Sequence, residues 1–445
     1  MGMKYIEPVK SAVLFLLVML SVVLTFIIWT YTPDYKFIEQ TEGKEILIGP
    51  QKSTEDVIRP YKAIIRAEDG FTGTVSNGAM KDMMNAFKGW NILDLVRINN
   101  KISPDYVNEL IRANNRMTVF FAGEIPFSAF SSIFQFADKE LPETTFNRMI
   151  IDWSQYNNKE LQVFFVSSNN DSLLRSHVSL SNANQFVRDI IEPSKQYGVF
   201  KEVERDGYTS LYVANDKIES VKYTYYIDDE QLSLESFKNV LFTDPNIVQR
   251  TVESTTSEKY TDGMSLMTVD RRLKSLNYVY PAAESSERIE PSKLLNSSFE
   301  FINEHGGFTA DYRYVSTSTS KNQLDYQLYL EGLPVYSDQA TTRITTVWGD
   351  NRIFRYKRPY FTLDMDIPSE KEIKELPSGT EIVEKIHTLN NIVLSDIDEI
   401  VVGYYLTKEE NEQLFNLEPR WFVIRNGAWI LLTPDMLGGV KNGLE

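Results

Sequence analysis

The side chains that most often catalyse reactions or bind metals are few and widely spaced in this sequence. His177, His305 and His387 are the only histidines, and the chain has no cysteine. No two histidines have metal-ligand spacing, and thiolate ligands are excluded altogether. The sequence also lacks the G-x-S-x-G, phosphate-binding glycine-loop and H-E-x-x-H motifs. We therefore expect no metal site and no cofactor.

One short motif matches an enzyme class. Ser318 and Lys321 form S-x-x-K, the nucleophile motif of penicillin-binding enzymes, whose partner is a K-T-G strand. The chemistry needs the serine at the start of a helix and the lysine one turn later. Here the motif lies in the hydroxyl-rich stretch VSTSTSKNQL, which joins two predicted strands, and no K-T-G occurs. A solvated turn is the favoured interpretation, and we expect no catalytic residue.

An acidic stretch could bind a cation. Asp396, Asp398 and Glu399 in SDIDE offer the carboxylate oxygens that calcium prefers. The glycine turn and the further ligands of a calcium loop are missing. We therefore favour a charged strand edge over a metal site.

A basic cluster stands out from the acidic remainder of the chain. It consists of Arg352, Arg355, Lys357 and Arg358. Such an exterior patch could bind an anionic wall polymer or a partner. Charged residues on an exposed strand also protect the edge of a sheet from unwanted pairing, and the sequence favours this second interpretation.

The longest apolar segment lies near the N-terminus. Residues 11–31, SAVLFLLVMLSVVLTFIIWTY, include no charged side chain. As a helix rising about 1.5 Å per residue, they reach across the roughly 30 Å of a bilayer. A secretory signal peptide is the alternative, but its apolar core is only about 7–15 residues long and is followed by a small-residue cleavage site. Trp29 and Tyr31 suit the membrane–water interface instead, so we predict an uncleaved transmembrane helix.

The flanking charges predict the orientation of this helix. Lys4 and Lys10 precede it, whereas Asp34 and Glu39 follow it together with a single lysine. The positive-inside rule then keeps residues 1–10 in the cytoplasm and places the rest outside. No later apolar segment is long enough to span. We expect a single-pass protein of the cell membrane with its bulk extracytoplasmic.

The composition narrows the functional classes. The chain has 62 acidic and 46 basic residues, a formal charge of −16. Nucleic-acid binding depends on neutralising phosphates, so this surface excludes it. An exported chain without disulfides suits the surface of many Gram-positive bacteria.

Helical and strand patterns alternate along the exterior part and predict an α+β fold. We expect three mixed α/β extracytoplasmic domains after the transmembrane helix, at residues 32–180, 181–285 and 286–445. Helices are predicted at SPDYVNELIRANN, SLSNANQFVRDIIEPSK and EPSKLLNSSFEFINEHGG, and hairpins turn at residues 349–351 and 426–427.

The second and third domains resemble each other. Four residues on a strand–turn–strand pattern recur 78 positions later. The pairs are Val269 and Val347, Leu276 and Phe354, Tyr278 and Tyr356, and Pro281 and Pro359. Together with the shared order of helix and strands, they predict a duplicated module.

Several long stretches are similar to a known family. KNVLFTDPNIVQR (238–250), YTDGMSLMTVD (260–270), LEGLPVYSD (330–338), RYKRPYF (355–361) and EPRWFV (418–423) resemble the YycH proteins of low-GC Gram-positive bacteria. The resemblance runs over the whole chain, from the short N-terminal segment through the three exterior regions.

This resemblance implies a regulatory function without catalytic residues. YycH proteins act with a sister protein, YycI, on the membrane sensor kinase WalK, also called YycG, which controls cell-wall homeostasis through a two-component system. Relatives differ in whether they restrain or support the kinase. The resemblance implies a contact with the kinase that lies largely in transmembrane helices.

One face of the predicted transmembrane helix suits such a contact. Steps of four and three residues place together Leu14, Val18, Ser21, Thr25 and Ile28. Helices associate in lipid through close packing and polar side chains, which Ser21 and Thr25 provide. The alternative is that both hydroxyls bond carbonyls of their own helix.

The leading hypothesis is thus a membrane-anchored, non-enzymatic regulator of a sensor kinase. A wall-polymer binding module that uses the basic cluster is the main alternative, and a peptidoglycan enzyme is the third. A binding module would retain its function without residues 11–31, whereas a regulator coupled through its helix would lose much of it.

Overall fold

The computed structural model describes most of the chain. The described residues are 6–30, 48–99, 102–137, 140–156, 160–168, 172–180, 183–227, 232–349, 351–363, 365–389, 392–409 and 413–437. They belong to two compact units, Met1–Lys44 and Glu45–Glu445. Tyr31, the last residue of the predicted transmembrane span, and residues 1–5 of the predicted cytoplasmic segment lie outside the described part.

The first unit contains helix α1 (Ile6–Thr30). Its described side chains, at positions 14–26, are all exposed, and eleven of these thirteen residues are large and apolar. Within the part of the chain that the structure describes, no helix meets the length and hydropathy required of a membrane span. The transmembrane span 11–31 stays a prediction.

Serine caps begin most helices of the second unit. Ser53, Ser76, Ser103, Ser233 and Ser378 each accept a backbone N–H in the first turn, as N-capping residues do. The helices are α2 (Thr54–Val57), α3 (Asn77–Phe87), α4 (Pro104–Arg112), α5 (Ala183–Phe186), α6 (Glu192–Ser194), α7 (Leu234–Leu241), α8 (Pro291–Glu304) and α9 (Gly379–Thr388). A π-helical turn, Val187–Ile191, joins α5 to α6.

Ten strands of the described residues form the first sheet. They are β1 (Pro60–Ala67), β2 (Gly70–Thr74), β3 (Asn91–Asn99), β4 (Arg116–Pro126), β5 (Gln135–Phe136), β6 (Thr145–Asp152), β7 (Glu160–Ser167), β8 (Ser172–Ser179), β9 (Gly198–Arg205) and β10 (Tyr208–Ala214). Their order is β10-β9-β2-β1-β4-β6-β7-β8-β3-β5, antiparallel except between β3 and β5.

Fifteen further strands of the described residues form the second sheet. They are β11 (Ile218–Tyr226), β12 (Gln249–Ser254), β13 (Ser257–Thr261), β14 (Leu266–Asp270), β15 (Ser275–Val279), β16 (Tyr312–Ser318), β17 (Gln323–Leu330), β18 (Leu333–Tyr336), β19 (Arg343–Trp348), β20 (Ile353–Pro359), β21 (Met365–Asp366), β22 (Glu372–Leu376), β23 (Glu399–Lys408), β24 (Leu414–Arg425) and β25 (Ala428–Leu431). The main path runs β12-β13-β14-β15-β20-β19-β17-β18-β23-β24-β11-β21, and only β18 and β23 pair in parallel.

Shared cores hold the two sheets together. One buried cluster contains Val119 and Phe121 of β4 as well as Tyr314 and Tyr326 of β16 and β17. A smaller cluster packs α9 and strands β23 and β24 against Leu211 of β10. Burial stabilises a protein by about 25 cal/mol per Å² of apolar area removed from water, so these shared cores stabilise the packing of the two sheets against each other.

The predicted α+β character is confirmed, as a mixed protein with two large sheets. The turn predicted at residues 426–427 is also present, because Asn426 and Gly427 have φ of 51° and 71° between β24 and β25. Sheet membership changes between Ala214 and Ile218. The three-domain division at residues 180 and 285 stays a prediction, as does the duplicated module.

Candidate functional site

The predicted contact face of α1 is accessible where its side chains are described. Leu14 and Val18 are 65% and 55% exposed, and Ser21 and Thr25 are exposed as well. Ile28 lies on the same helix, but its side chain falls outside the described residues. Whether this face contacts a partner helix stays a prediction.

The hydroxyl of Thr25 is already used within its own helix. Its Oγ1 donates to the carbonyl oxygen of Ser21 at 2.8 Å. This is the alternative that the sequence left open, since threonine in a helix often bonds the carbonyl one turn back. A hydroxyl oxygen that donates this bond still has lone pairs for a donor on a neighbouring helix.

Three members of the basic cluster, Arg355, Lys357 and Arg358, lie on β20 in the interior of the second sheet, and Arg352 directly precedes this strand. Tyr356 of β20 pairs with Tyr278 of β15 on one side and with Thr346 of β19 on the other. The interpretation that this cluster protects a sheet edge is therefore wrong, because β20 has no free edge. Arg355 and Lys357 are exposed on the outer face of the sheet.

Arg358 does not belong to an exterior patch, which corrects the prediction from sequence. Its side chain is fully buried, and Nη1 donates to the carbonyl of Gly307 and to the hydroxyl of Tyr356, both at 2.9 Å. Nη2 donates to Thr309 Oγ1 at 2.9 Å. Side chains alternate between the two faces of a strand, so Arg358 points inward while its neighbour Lys357 points outward.

The S-x-x-K motif has the wrong local structure for a nucleophile. Ser318 ends strand β16, and its hydroxyl lies 3.2 Å from that of Ser320. Lys321 is exposed in the turn before β17. Since the serine is not at a helix start, the lysine cannot follow it one helical turn later.

A buried ion pair connects the two sheets. Lys62 on β1 places Nζ 2.5 Å from Oε2 of Glu399 on β23, and their side chains are only 4% and 9% exposed. The Tyr61 hydroxyl donates to the same oxygen at 2.7 Å, and Lys62 also donates to the carbonyl of Tyr212 at 3.2 Å. We call Lys62 and Glu399 the inter-sheet pair.

Burial between the sheets shifts the pKa values of Lys62 and Tyr61. Burial lowers the pKa of Lys62, although Glu399 opposes this shift by favouring the ammonium form. Burial and the adjacent Glu399 carboxylate raise the pKa of Tyr61 well above its ordinary value. Lys62 and Glu399 thus compensate each other's charge inside the protein, and Tyr61 stays a neutral donor.

A cavity of about 960 Å³ lies beside the inter-sheet pair, between the two sheets. We call it the central cavity. Residues of both sheets line it, among them Lys62, Phe120, Arg148, Tyr212, Arg343 and Glu399. Its size is within the range of small-molecule sites.

Little in the sequence indicates this cavity. Among the charged residues that line it, the sequence singles out Asp396, Asp398 and Glu399, as a cation site or a strand edge. In the structure Asp396 pairs with Arg425 at 3.1 Å, and Asp398 accepts the backbone N–H of Gly427 at 3.0 Å. Within the described residues, no group of three His, Cys, Asp or Glu residues is arranged to hold a metal.

A local sequence pattern indicates that Lys62 is a buried lysine. It occurs in RPYKAIIRA, where a lysine interrupts an apolar strand and its side chain must enter a sheet face. Buried lysines almost always have a partner, so an acidic residue on another strand was implied. Its identity depends on a contact across 337 positions, which no local pattern reveals.

Two family models match the chain, one after the other. The model of the YycH protein N-terminal domain matches residues 7–194, and that of the YycH protein C-terminal domain matches residues 208–435, about half of the chain by itself.

A curated relative and a solved structure agree with these matches. The two-component system WalR/WalK regulatory protein YycH of Bacillus subtilis (strain 168) is 21% identical over 457 residues, covering 99% of this chain and 99% of the relative. The crystal structure of YycH from Bacillus subtilis aligns with a TM-score of 0.72 at 19% identity, covering 87% of this chain and 99% of that one. That likeness shows a common fold. The resemblance found in the sequence is confirmed, and the chain belongs to the YycH family.

Proposed function

We propose that this chain is a membrane-anchored, non-enzymatic regulator of the sensor kinase WalK in the WalR/WalK two-component system. The observation that carries the proposal is the full-length match to a relative named as a regulatory protein of that system. The two family models match residues 7–194 and 208–435, so the similarity to the family extends over nearly the whole chain.

The local structure supports a role without catalysis. Ser318 and Lys321 lack the helical arrangement that an S-x-x-K nucleophile needs. The acidic residues at 396–399 are engaged by Arg425, Gly427 and Lys62. A regulator of this kind acts by changing the equilibrium between kinase conformations, which requires a differential contact and no reaction.

Helix α1 supports contact through the membrane. Its described apolar side chains are exposed, and a helix that is apolar all round is stable against lipid or partner helices. We propose that α1 anchors the chain with its N-terminus in the cytoplasm. Its face Leu14, Val18, Ser21, Thr25 and Ile28 then contacts the helices of WalK and of the sister regulator YycI.

Reconstituted kinase offers a direct test of this function. WalK from the same organism would be placed in proteoliposomes with or without the full chain, and its autophosphorylation rate would be measured. We expect the full chain to change the rate, in either direction, while an unrelated single-pass protein at equal density leaves it unchanged. An identical rate with and without the chain, also when YycI is present, would contradict the proposal.

Wall-polymer binding is the second candidate, and one observation favours it. Arg352, Arg355 and Lys357 are exposed, and the guanidinium of Arg352 lies 4.3 Å from the ring centroid of Tyr280. If this surface carried the function, replacing all three by methionine would abolish sedimentation of the chain with purified cell walls. On the proposal made here, the same triple variant still changes the kinase rate.

A further inference from the structure

Three arginines that line the central cavity lack a carboxylate partner. Arg148 lies on β6, Arg205 ends β9, and Arg343 begins β19. Within the described residues none of them forms an ion pair. Arg205 donates to the main-chain carbonyls of Thr209 and Ile397, and Arg343 Nε donates to Gln327 Oε1 at 2.7 Å. The charge of Arg205 is nevertheless partly offset, because the Glu399 and Asp398 carboxylates attract it from beyond ion-pair distance.

Arg148 has a donor left over. Its Nη2 donates to Thr209 Oγ1 at 3.1 Å, and its guanidinium lies 5.5 Å from the ring centroid of Phe120. Its Nη1 is buried, and no acceptor among the described residues reaches it. Leaving a buried charged donor without an acceptor is unfavourable. An acceptor at this position would therefore form a favourable charge-assisted hydrogen bond.

The carboxylates of the same cavity are already engaged. Glu399 accepts from Lys62 and Tyr61, and Glu124 accepts the hydroxyls of Thr145 and Ser167 at 2.9 and 2.8 Å. The remaining acids, Asp396 and Asp398, bind Arg425 and the N–H of Gly427. The cavity thus has as many cationic as anionic side chains, but its carboxylates accept hydrogen bonds, whereas Arg148 Nη1 has no acceptor among the described residues.

The wall around these arginines is apolar and aromatic. Phe120, Tyr208 and Tyr212 contribute rings from the first sheet, and Trp421 and Trp429 contribute rings from the second. Apolar walls with a few convergent polar groups are typical of sites that hold a small organic molecule. An inorganic ion alone would make no use of this apolar wall.

We propose that the central cavity binds a small amphipathic anion, with a carboxylate or phosphate group at Arg148 and an apolar or aromatic portion against the rings. A guanidinium forks two parallel N–H donors toward such a group, and this bidentate geometry gives specificity as well as affinity. The occupant would contact both sheets, so its binding is coupled to their separation. The inference does not depend on the regulatory proposal.

The test uses the full chain in lipid nanodiscs and three aromatic probes. Phenyl phosphate and benzoate carry the two candidate anionic groups, and phenol is the neutral control. Binding would be measured by isothermal titration calorimetry. We expect at least one anion to bind about tenfold or more tightly than phenol, and the stronger one identifies the preferred group.

Variants then locate the binding site. Arg148→Met should weaken binding of the preferred anion about tenfold or more, and Arg148→Lys should weaken it less because the charge remains. Arg352→Met removes an equal charge outside the cavity and should leave binding unchanged. Circular dichroism melting identifies misfolding, and if Arg148→Met misfolds, Arg343→Met provides the same comparison. Equal anion binding by the folded cavity variant and the parent, or no anion binding at millimolar concentration, would overturn the proposal.

Discussion

Lys62 and Glu399 form an ion pair of 2.5 Å across 337 positions of the chain, inside the protein and between its two sheets. Lys62 belongs to the part that matches the YycH N-terminal model, and Glu399 to the part that matches the C-terminal model. The pair therefore joins the two halves of the family fold. Because both charges are buried, each depends on the other for compensation.

Breaking the inter-sheet pair from one side should be costly. Glu399→Gln leaves the ammonium of Lys62 buried without a counter-charge, and we expect a loss of about 3–5 kcal/mol in the free energy of unfolding. Glu375→Gln is the control, since Glu375 pairs with Lys217 on the exposed surface and its loss should have a much smaller effect. Urea unfolding measures both. Similar losses in the two variants would show that the buried pair stabilises the protein no more than a surface pair does.

Arg358 and Arg355 should differ sharply although both lie on β20. Arg358→Met removes donors to Gly307, Thr309 and Tyr356 inside the protein, and we expect a loss of about 3 kcal/mol. Arg355→Met removes the same charge from the exposed face and should change stability by no more than about 0.5 kcal/mol. Thermal unfolding midpoints compare the two. A larger shift for Arg355→Met would contradict the burial of Arg358.

The decrease in the free energy of unfolding at acidic pH should depend on Glu258. Burial by itself would raise the pKa of Glu258, but hydrogen bonds from Arg250, Arg271 and Tyr260 outweigh it and lower the pKa to about 2. The folded pKa thus lies below the unfolded value of 4.5. The stabilisation from Glu258 is then complete above about pH 4.5 and is lost as the pH falls towards 2.

Glu258→Gln isolates this effect. We expect the variant to be less stable than the parent at pH 7 by about 2 kcal/mol, with a difference that shrinks between pH 4.5 and pH 2. Urea midpoints measured at several pH values provide the comparison. A difference that stays constant through this range would mean that Glu258 is not held in its ionised form by the two arginines.

The close approach of the two sheets leaves no space at Gly123. A Cβ at this position of β4 would lie 2.7 Å from the carbonyl oxygen of Val315 on β16. We expect Gly123→Ala to destabilise the protein by about 1–3 kcal/mol, because the sheets must move apart. Gly198→Ala is the matched control, since its Cβ meets no atom within 4 Å. Equal melting temperatures for both variants would argue against this contact.

Local sequence patterns predict several helices and turns correctly but do not reveal others. The predicted helix at 103–115 begins at Pro104 after the cap Ser103, because caps and proline act within one turn. Helix α3 was not predicted, although Met80, Met83, Met84 and Phe87 repeat with helical spacing and are buried. Methionine fits many environments, so a stripe of methionines is a weak signal for a buried helix face.

No local sequence pattern reveals which distant strands pair with each other. Tyr278 and Tyr356, matched in the sequence by the spacing of 78 residues, are direct partners on β15 and β20. The spacing indicated an equivalence, whereas the adjacency depends on the order of strands in the second sheet. The same limit applies to Lys62 and Glu399, and it explains why the sequence indicates the basic cluster but not the central cavity.

The proposed contact between the α1 face and WalK is tested most directly by co-purification. The parent, Ser21→Leu with Thr25→Leu, and Val23→Leu with Ile27→Leu as an off-face control would be expressed at equal levels. WalK and YycI recovered with each from detergent-solubilised membranes would then be quantified. We expect the first double variant to recover much less kinase, because bulky side chains prevent close approach of the helices, and the control to match the parent. Equal recovery of WalK by all three proteins would contradict regulation through this helix.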